Sequence, residues 1–178
     1  MNLNIYYFID EFKKNEIEKL SSKISLIYRN YNKKNNPIEL RKLVLYCKNK
    51  RRKVYISNNL KAAIKYNFDG LYIPSFNKSL GFQNIVKDNF EILGSAHNIV
   101  ELRTKEKQGC SVIFLSPIFE NDKKKKYLDV VKTNLLRNLT NNRIILLGGI
   151  NFKTIKRSKM CTPNGIAGIS WIKKNGPS

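Results

Sequence analysis

The sequence predicts a (β/α)8 TIM barrel with shortened loops and helices, from three observations. Eight short apolar segments recur along 178 residues, and stretches with helical spacing separate most of them. The apolar segments are continuous runs, which is typical of parallel strands buried on both faces. The last two border glycines, the usual phosphate grip of such a barrel. A doubly wound open sheet is the alternative architecture.

The first four strands are predicted from β-branched and aromatic runs that end near polar residues or proline. They cover residues 5–9, 24–28, 53–56 and 70–73. Apolar residues at helical spacing predict a helix over 11–22, a second from Pro37 and a third near 60–64. Pro37 supports the second helix because proline is favoured in a first helical turn.

The remaining four strands are predicted over residues 90–95, 111–115, 143–147 and 165–170. Helices are predicted over 99–107 and 127–139 by the same apolar spacing. The segment 74–88 is polar and poorly periodic, which predicts a short or degraded helix. Together these elements predict one barrel domain over residues 1–178, with no linker that would divide it.

Cysteine usage and hydropathy limit the class of protein. Cys47, Cys110 and Cys161 are odd in number and lack CxxC spacing, which favours a reduced, cytoplasmic protein over a disulfide or zinc framework. No apolar run approaches the roughly 20 residues that span a membrane. The amino terminus begins directly in a strand-like segment without a signal-peptide layout. The sequence therefore predicts a cytoplasmic protein with no membrane partner.

The formal charge of +21 raises the question of nucleic-acid binding. Basic residues occur in nearly every predicted helix and loop rather than in one stripe, and no nucleic-acid motif is present. A general compositional bias explains this distribution, and the sequence predicts no specific nucleic-acid partner. The positive field would also favour small anionic ligands.

Chemistry in such barrels lies at the carboxyl ends of the strands. The residues there are mostly polar or cationic, which predicts a mouth that binds anions. The candidates are Arg29, Ser57, Asn58, Asn77, Ser95, His97, Lys123, Gly148, Gly149, Ile169 and Ser170. Each has a structural alternative: Arg29 as a salt-bridged rim residue, Ser95 as a helix cap, and the glycines as a tight turn.

Four segments, in order and spacing, resemble thiamine phosphate synthase and its TenI relatives. They are Ile92-Leu-Gly-Ser-Ala-His-Asn98, Gly109-Cys-Ser-Val-Ile-Phe-Leu-Ser-Pro-Ile-Phe119, Leu146-Leu-Gly-Gly-Ile150 and Asn164-Gly-Ile-Ala-Gly-Ile-Ser170. The resemblance covers residues 5–172. It implies a transferase that joins hydroxymethylpyrimidine diphosphate to thiazole phosphate, with pyrophosphate leaving from an ionised pyrimidine.

The resemblance also implies roles for individual residues. Arg29 matches an arginine that binds pyrophosphate, and Lys123 matches a lysine of the loop after the sixth strand. Ser95 matches a serine near the reacting pyrimidine. The backbone positions that match those gripping the thiazole phosphate are Gly149, Ile169 and Ser170. The expected ligands are thus phosphorylated pyrimidine and thiazole molecules.

The chain also departs from the family pattern. Asn58 and Asn77 stand where the family has the aspartates that hold Mg²⁺, so the sequence predicts a weak metal site or none. Ile27 and Tyr31 replace a glutamine and a lysine on either side of Arg29. Two alternatives therefore stay open: a TenI-type thiazole tautomerase in which His97 shuttles a proton, and a non-catalytic protein that binds phosphate ligands.

Overall fold

The computed structural model describes residues 3–31, 36–82, 89–120, 126–168 and 172. Eight strands form a closed barrel in sequence order, with every neighbouring pair parallel. The strands are β1 (Asn4–Ile9), β2 (Ile24–Tyr28), β3 (Val54–Ser57), β4 (Gly70–Ile73), β5 (Glu91–Ala96), β6 (Val112–Leu115), β7 (Arg143–Leu147) and β8 (Gly165–Gly168). The predicted (β/α)8 architecture is confirmed, and the open sheet is excluded because β1 pairs with β8.

Helices connect most strands and cover the outside of the barrel. They are α1 (Lys14–Ile17), α2 (Pro37–Asn49), α3 (Leu60–Lys65), α4 (Ile99–Lys107), α5 (Asp129–Asn138) and α6 (Ile155–Ser158), the last followed by a 3-10 turn at Lys159–Cys161. Asparagines cap three of the helices, with the Asn36, Asn59 and Asn98 side chains accepting first-turn amides. No helix of these described segments is long and apolar enough to cross a membrane.

The barrel interior is filled mainly by aromatic rings. Phe8, Tyr72 and Phe114 meet edge to face, with centroid separations of 5.3 Å for Phe8–Tyr72 and 5.4 Å for Tyr72–Phe114. Tyr6 packs on Phe114 from below at 5.1 Å. Such pairs contribute about 0.5–1.5 kcal/mol each beyond the area that they bury. This packed floor leaves the carboxyl ends of the strands as the place where a ligand can bind.

An ionic cluster closes the opposite, amino-terminal end of the barrel. The Glu91 carboxylate accepts hydrogen bonds from Lys53 Nζ at 3.1 Å and from Arg143 Nη2 at 3.0 Å. It also accepts a short hydrogen bond from the Tyr55 hydroxyl. One carboxylate therefore joins β3, β5 and β7 at the barrel base.

The first helix is shorter than the sequence predicts. The apolar spacing predicts a helix over 11–22, but α1 covers only Lys14–Ile17. Arg52 gives the physical reason, because its buried guanidinium donates to the Leu20 carbonyl at 2.8 Å and to the Ile17 carbonyl at 3.4 Å. Because Arg52 hydrogen-bonds these carbonyls, they do not need the amides of a further helical turn, and the chain turns toward β2.

Candidate functional site

Arg29 lies directly after β2, inside the mouth of the barrel. Its guanidinium carbon is 4.5 Å from the centroid of the Phe8 ring, which belongs to the interior stack. Its charge acts to lower the pKa of both Tyr31 and Tyr72. No carboxylate of the described segments lies within ion-pair distance of Arg29. Among the described residues the contacts thus differ from the salt-bridged rim alternative, and they leave the guanidinium without a carboxylate partner.

Tyr31 follows two residues later and spans the mouth toward β3 and β4. Its hydroxyl shares a hydrogen bond of 2.7 Å with Ser57 Oγ, at the end of β3. Its ring meets the Phe76 ring at a centroid distance of 5.7 Å and an angle of 73°. Burial raises the pKa of Tyr31 more than the Ser57 hydrogen bond and Arg29 lower it, so the phenol is neutral at physiological pH.

Asn58 and Asn77 form a direct side-chain pair. Asn77 Nδ2 donates to Asn58 Oδ1 at 2.6 Å, and Asn77 Oδ1 accepts the Ser79 amide at 2.9 Å. Asn58 has a φ of +56°, a left-handed conformation that asparagine tolerates better than most residues. One hydrogen bond thus joins the two neutral amides directly. They do not fit Mg²⁺, which is normally held by one or two carboxylates.

No group of three His, Cys, Asp or Glu side chains that suits a metal ion occurs among the residues that the structure describes. The donors near Asn58 are neutral amides and hydroxyls. Mg²⁺ in the mouth therefore stays a doubtful prediction. The ion would have to enter bound to the phosphate groups of the ligand.

Ser95 lies on the floor of the mouth, next to the interior rings. Its side chain is 5 % exposed, and burial raises the pKa of the neighbouring Tyr72 phenol to about 12 although Ser95 acts to lower it. The helix-cap alternative for Ser95 does not apply, since Asn98 caps α4 by accepting the Glu101 amide at 2.9 Å. Ser95 is therefore placed to contact a ligand that reaches the floor.

His97 follows β5 and is held by protein groups at both ring nitrogens. Nδ1 makes a short hydrogen bond to the Ser116 carbonyl oxygen, and Nε2 is 3.1 Å from Ser75 Oγ. A carbonyl only accepts, so Nδ1 carries a proton, and Nε2 shares its hydrogen bond with the Ser75 hydroxyl. The backbone amide of His97 donates to Glu101 at 2.7 Å. The imidazole thus joins the loops that follow β4, β5 and β6.

The glycine pair lies after β7, three strands from Arg29 around the barrel. Gly148 and Gly149 have φ values of +88° and +74°. A Cβ on Gly149 would lie 2.3 Å from the Phe119 carbonyl oxygen, so glycine is required for this close approach. Within the described segments, neither the Gly149 nor the Ile150 amide donates to a protein acceptor. These two amides are available to an anion, as a phosphate grip requires.

Other predicted site residues have no described position. Lys123, Ile169 and Ser170 lie outside the residues that the structure describes. Arg29, Ser57, Asn58, Asn77, Ser95 and His97 come together on the side of the mouth that β2 to β5 form. Gly148 and Gly149 follow β7, on the other side. The predicted site residues thus fall into two groups, one around Arg29 and one at the glycine pair, and their roles in binding stay predictions.

A buried lysine beneath the site was not predicted. Lys105 of α4 is fully buried, and its ammonium donates to the Pro74 carbonyl at 2.8 Å, the Asn77 carbonyl at 2.9 Å and Gln108 Oε1 at 2.8 Å. Gln108 Nε2 also donates to the Asn77 carbonyl at 2.9 Å. Burial lowers the pKa of Lys105. The glycine at position 94, inside a strand, was a sequence signal that another group packs closely there. A Cβ at Gly94 would lie 2.7 Å from the Lys105 side chain.

Tyr31 and Phe76 were also not predicted as site residues. Both are large aromatic residues three residues beyond the ends of β2 and β4, in polar sequence, and they are 51 % and 62 % exposed. An aromatic residue at the end of a buried strand that does not continue the apolar run was the available signal.

Comparison with known proteins agrees with this architecture. The family model for thiamine monophosphate synthase matches residues 17–172. A thiamine-phosphate synthase from Methanococcus vannielii is 25 % identical over 120 residues, which cover 66 % of this chain and 58 % of that protein. The matched region therefore spans less than two thirds of that relative.

Solved structures show the same fold. The thiamine phosphate pyrophosphorylase of Pyrococcus furiosus superposes with a TM-score of 0.76 at 16 % identity, covering 96 % of this chain and 87 % of that one. The thiamine phosphate pyrophosphorylase of Bacteroides thetaiotaomicron gives a TM-score of 0.62 at 16 % identity, covering 100 % of this chain and 87 % of that one. Because the family model matches most of the sequence, this chain belongs to the thiamine monophosphate synthase family.

Proposed function

We propose that this protein makes thiamine phosphate from hydroxymethylpyrimidine diphosphate and thiazole phosphate. The observation that carries the proposal is the Arg29 guanidinium, held 4.5 Å from the Phe8 ring centroid in the mouth, with no protein carboxylate of the described segments paired to it. Membership of the family supplies the substrates. The glycine pair three strands away supports a second, separate phosphate position.

The chain's residues would divide the reaction between the two sides of the mouth. Arg29 would hold the pyrophosphate as the bond to the pyrimidine methylene breaks, which stabilises charge where it develops. Ser95 and Tyr72 would form the floor under the reacting pyrimidine. The Gly149 and Ile150 amides would orient the thiazole phosphate so that the thiazole nitrogen attacks the methylene. Lys123 stays a predicted second cation for the leaving group.

The geometry does not favour the tautomerase alternative. A proton shuttle needs an imidazole nitrogen that faces the substrate, whereas both nitrogens of His97 contact Ser116 and Ser75. We infer that His97 is a positioning residue that holds three loops together. The non-catalytic alternative is favoured by one observation, the neutral Asn58–Asn77 pair where the family carries metal-binding aspartates.

One assay separates synthesis from binding alone. The protein is incubated with both phosphorylated substrates, with Mg²⁺ or with a chelator, and thiamine phosphate is measured. We expect product, and we expect an Asn58→Asp, Asn77→Asp double variant to depend more strongly on Mg²⁺, because it regains the carboxylates that the metal prefers. Thermal stabilisation by thiazole phosphate without product at any Mg²⁺ concentration would instead establish a binding protein.

A further inference from the structure

Tyr31 and Phe76 form a small apolar surface in an otherwise polar mouth. They follow β2 and β4, the two strands on either side of β3. Tyr31 is 51 % exposed and Phe76 is 62 % exposed, although their rings contact each other at 5.7 Å. We call this pair the aromatic wall. Large rings left open to water beside a binding cation are typical of a surface that a ligand covers.

Protein contacts fix the aromatic wall before any ligand binds. The Tyr31 hydroxyl is hydrogen-bonded to Ser57 Oγ at 2.7 Å, and Ser57 is itself 8 % exposed. The loop that carries Phe76 is held on both sides by Lys105, which donates to the Pro74 and Asn77 carbonyls. A pre-ordered ring loses little conformational entropy when a ligand stacks on it.

The aromatic wall lies beside the cation of the site. Arg29 and Tyr31 are two residues apart in the segment that follows β2, and Arg29 lies 4.5 Å from the Phe8 ring centroid, which is 5.3 Å from the Tyr72 ring of β4. A phosphate at Arg29 would bring a group that is attached to it within reach of the wall. We propose that the aromatic wall stacks the planar heteroaromatic ring of the phosphorylated ligand bound at Arg29, and so determines which ring is accepted. For the ring's identity, an aminopyrimidine, this inference rests on the proposed function.

The aromatic wall also changes how much the ring and the phosphate groups of the ligand each contribute to binding. Tyr31 stands where the family resemblance predicts a lysine, so a cation is replaced by a neutral ring. Stacking of a base on an aromatic side chain strengthens binding roughly tenfold to hundredfold. The ring of the ligand therefore contributes more to binding in this protein, and the phosphate groups contribute less, than a lysine at position 31 would give.

Calorimetric titration with two probes tests the wall. One probe is hydroxymethylpyrimidine monophosphate, which carries the ring, and the other is inorganic pyrophosphate, which does not. We expect Phe76→Leu and Tyr31→Leu each to lower the affinity for the ring-bearing probe about tenfold. The affinity for pyrophosphate should stay unchanged. Tyr31→Phe keeps the ring and should retain most of the affinity. Tyr66→Leu removes a ring after α3, at the other end of the barrel, and is the matched control.

Two results would overturn the inference. The first is an equal change for both probes, or none, in the leucine variants. The second is failure of the wild-type protein to bind the ring-bearing probe. Because Phe76 is exposed, Phe76→Leu should fold even if Tyr31→Leu does not, which thermal unfolding checks. Absence of thiamine phosphate synthesis would leave the expected binding pattern intact, so the two proposals fail independently.

Discussion

At the scale of single residues, Arg29 combines a fixed position with a charge that no carboxylate of the described segments pairs. The Phe8 ring covers one face of the guanidinium, and a cation over a ring face is stabilised by about 0.5–2 kcal/mol. This contact orients the group without using its N–H donors, unlike a salt bridge, which would occupy them. Arg29 therefore keeps its hydrogen-bonding edge for an anion.

Arg29→Met should remove anion binding while keeping an unbranched side chain on Phe8. We expect inorganic pyrophosphate affinity to fall about tenfold to hundredfold, because hydrogen bonds to charged groups contribute about 1.5–3 kcal/mol. Calorimetric titration measures the change. Arg41→Met removes the same charge from α2 and controls for the overall positive field. Equal losses in the two variants would show that the field, and not the Arg29 contact, binds the anion.

Sequence reasoning located the residues at the mouth better than it located their partners. Arg29, Ser95 and His97 were identifiable because they directly follow or end apolar runs, and strand ends meet at one edge of a barrel. The contact between Asn58 and Asn77 was not predictable. It depends on the left-handed backbone at Asn58 and on a loop held by Lys105, far along the sequence.

At the scale of elements, α4 controls the loop that follows β4. The three hydrogens of the Lys105 ammonium match three acceptors, all neutral, at 2.8, 2.9 and 2.8 Å. The segment 74–82 contains no helix, as its poor periodicity suggested, so α4 provides the contacts that hold it. Lys105 and Gln108 together connect α4 to the loop that presents Ser75, Phe76 and Asn77 to the mouth.

Lys105→Met should loosen this loop while preserving α4. Three acceptors would lose a donor, so we expect the free energy of unfolding to fall by about 1–3 kcal/mol. Hydrogen exchange should accelerate at the Asn77 and Ser79 amides, which hydrogen-bond within the loop. Lys61→Met, on the exposed face of α3, is the control. Unchanged exchange at Asn77 and Ser79 would mean that Lys105 does not hold the loop.

The predicted strands were accurate to within one or two residues where the structure describes them, and the predicted helices were less so. Strands buried on both faces are continuous apolar runs in the sequence, so their first and last residues can be predicted. Helix α5 begins at Asp129 and ends at Asn138, inside the predicted 127–139. The largest error, at α1, came from the buried Arg52, whose effect on the Leu20 carbonyl no local pattern indicates.

At the scale of the whole molecule, the two ends of the barrel differ in how their cations are paired. The mouth contains Arg29 without a described carboxylate partner, whereas Glu91 at the base joins Lys53, Tyr55 and Arg143. In a chain with a formal charge of +21, cations placed close together repel unless a carboxylate lies between them. Glu91 therefore permits Lys53 and Arg143 to close the base.

The Glu91 cluster should make stability depend on pH. Hydrogen bonds from Tyr55, Arg143 and Lys53 outweigh burial and hold the pKa of Glu91 below its ordinary value of 4.5. The unfolded state therefore takes up a proton first, so the stabilisation is complete above pH 4.5 and is lost as the pH falls through the lower, folded pKa. Below that range, Lys53 and Arg143 would be left without their carboxylate.

Glu91→Gln tests this dependence by removing the charge at every pH. We expect the free energy of unfolding at neutral pH to fall by about 1–3 kcal/mol, and the variant to lose less further stability than the wild type when acidified. Urea unfolding across the acidic range measures both effects. Glu18→Gln breaks only an exposed pair with Lys14, so it should change stability by less than about 0.5 kcal/mol. If the free energy of unfolding falls equally with acidification in wild type and Glu91→Gln, other carboxylates govern acid stability. The reason is that removing Glu91 also removes its own protonation from the pH dependence.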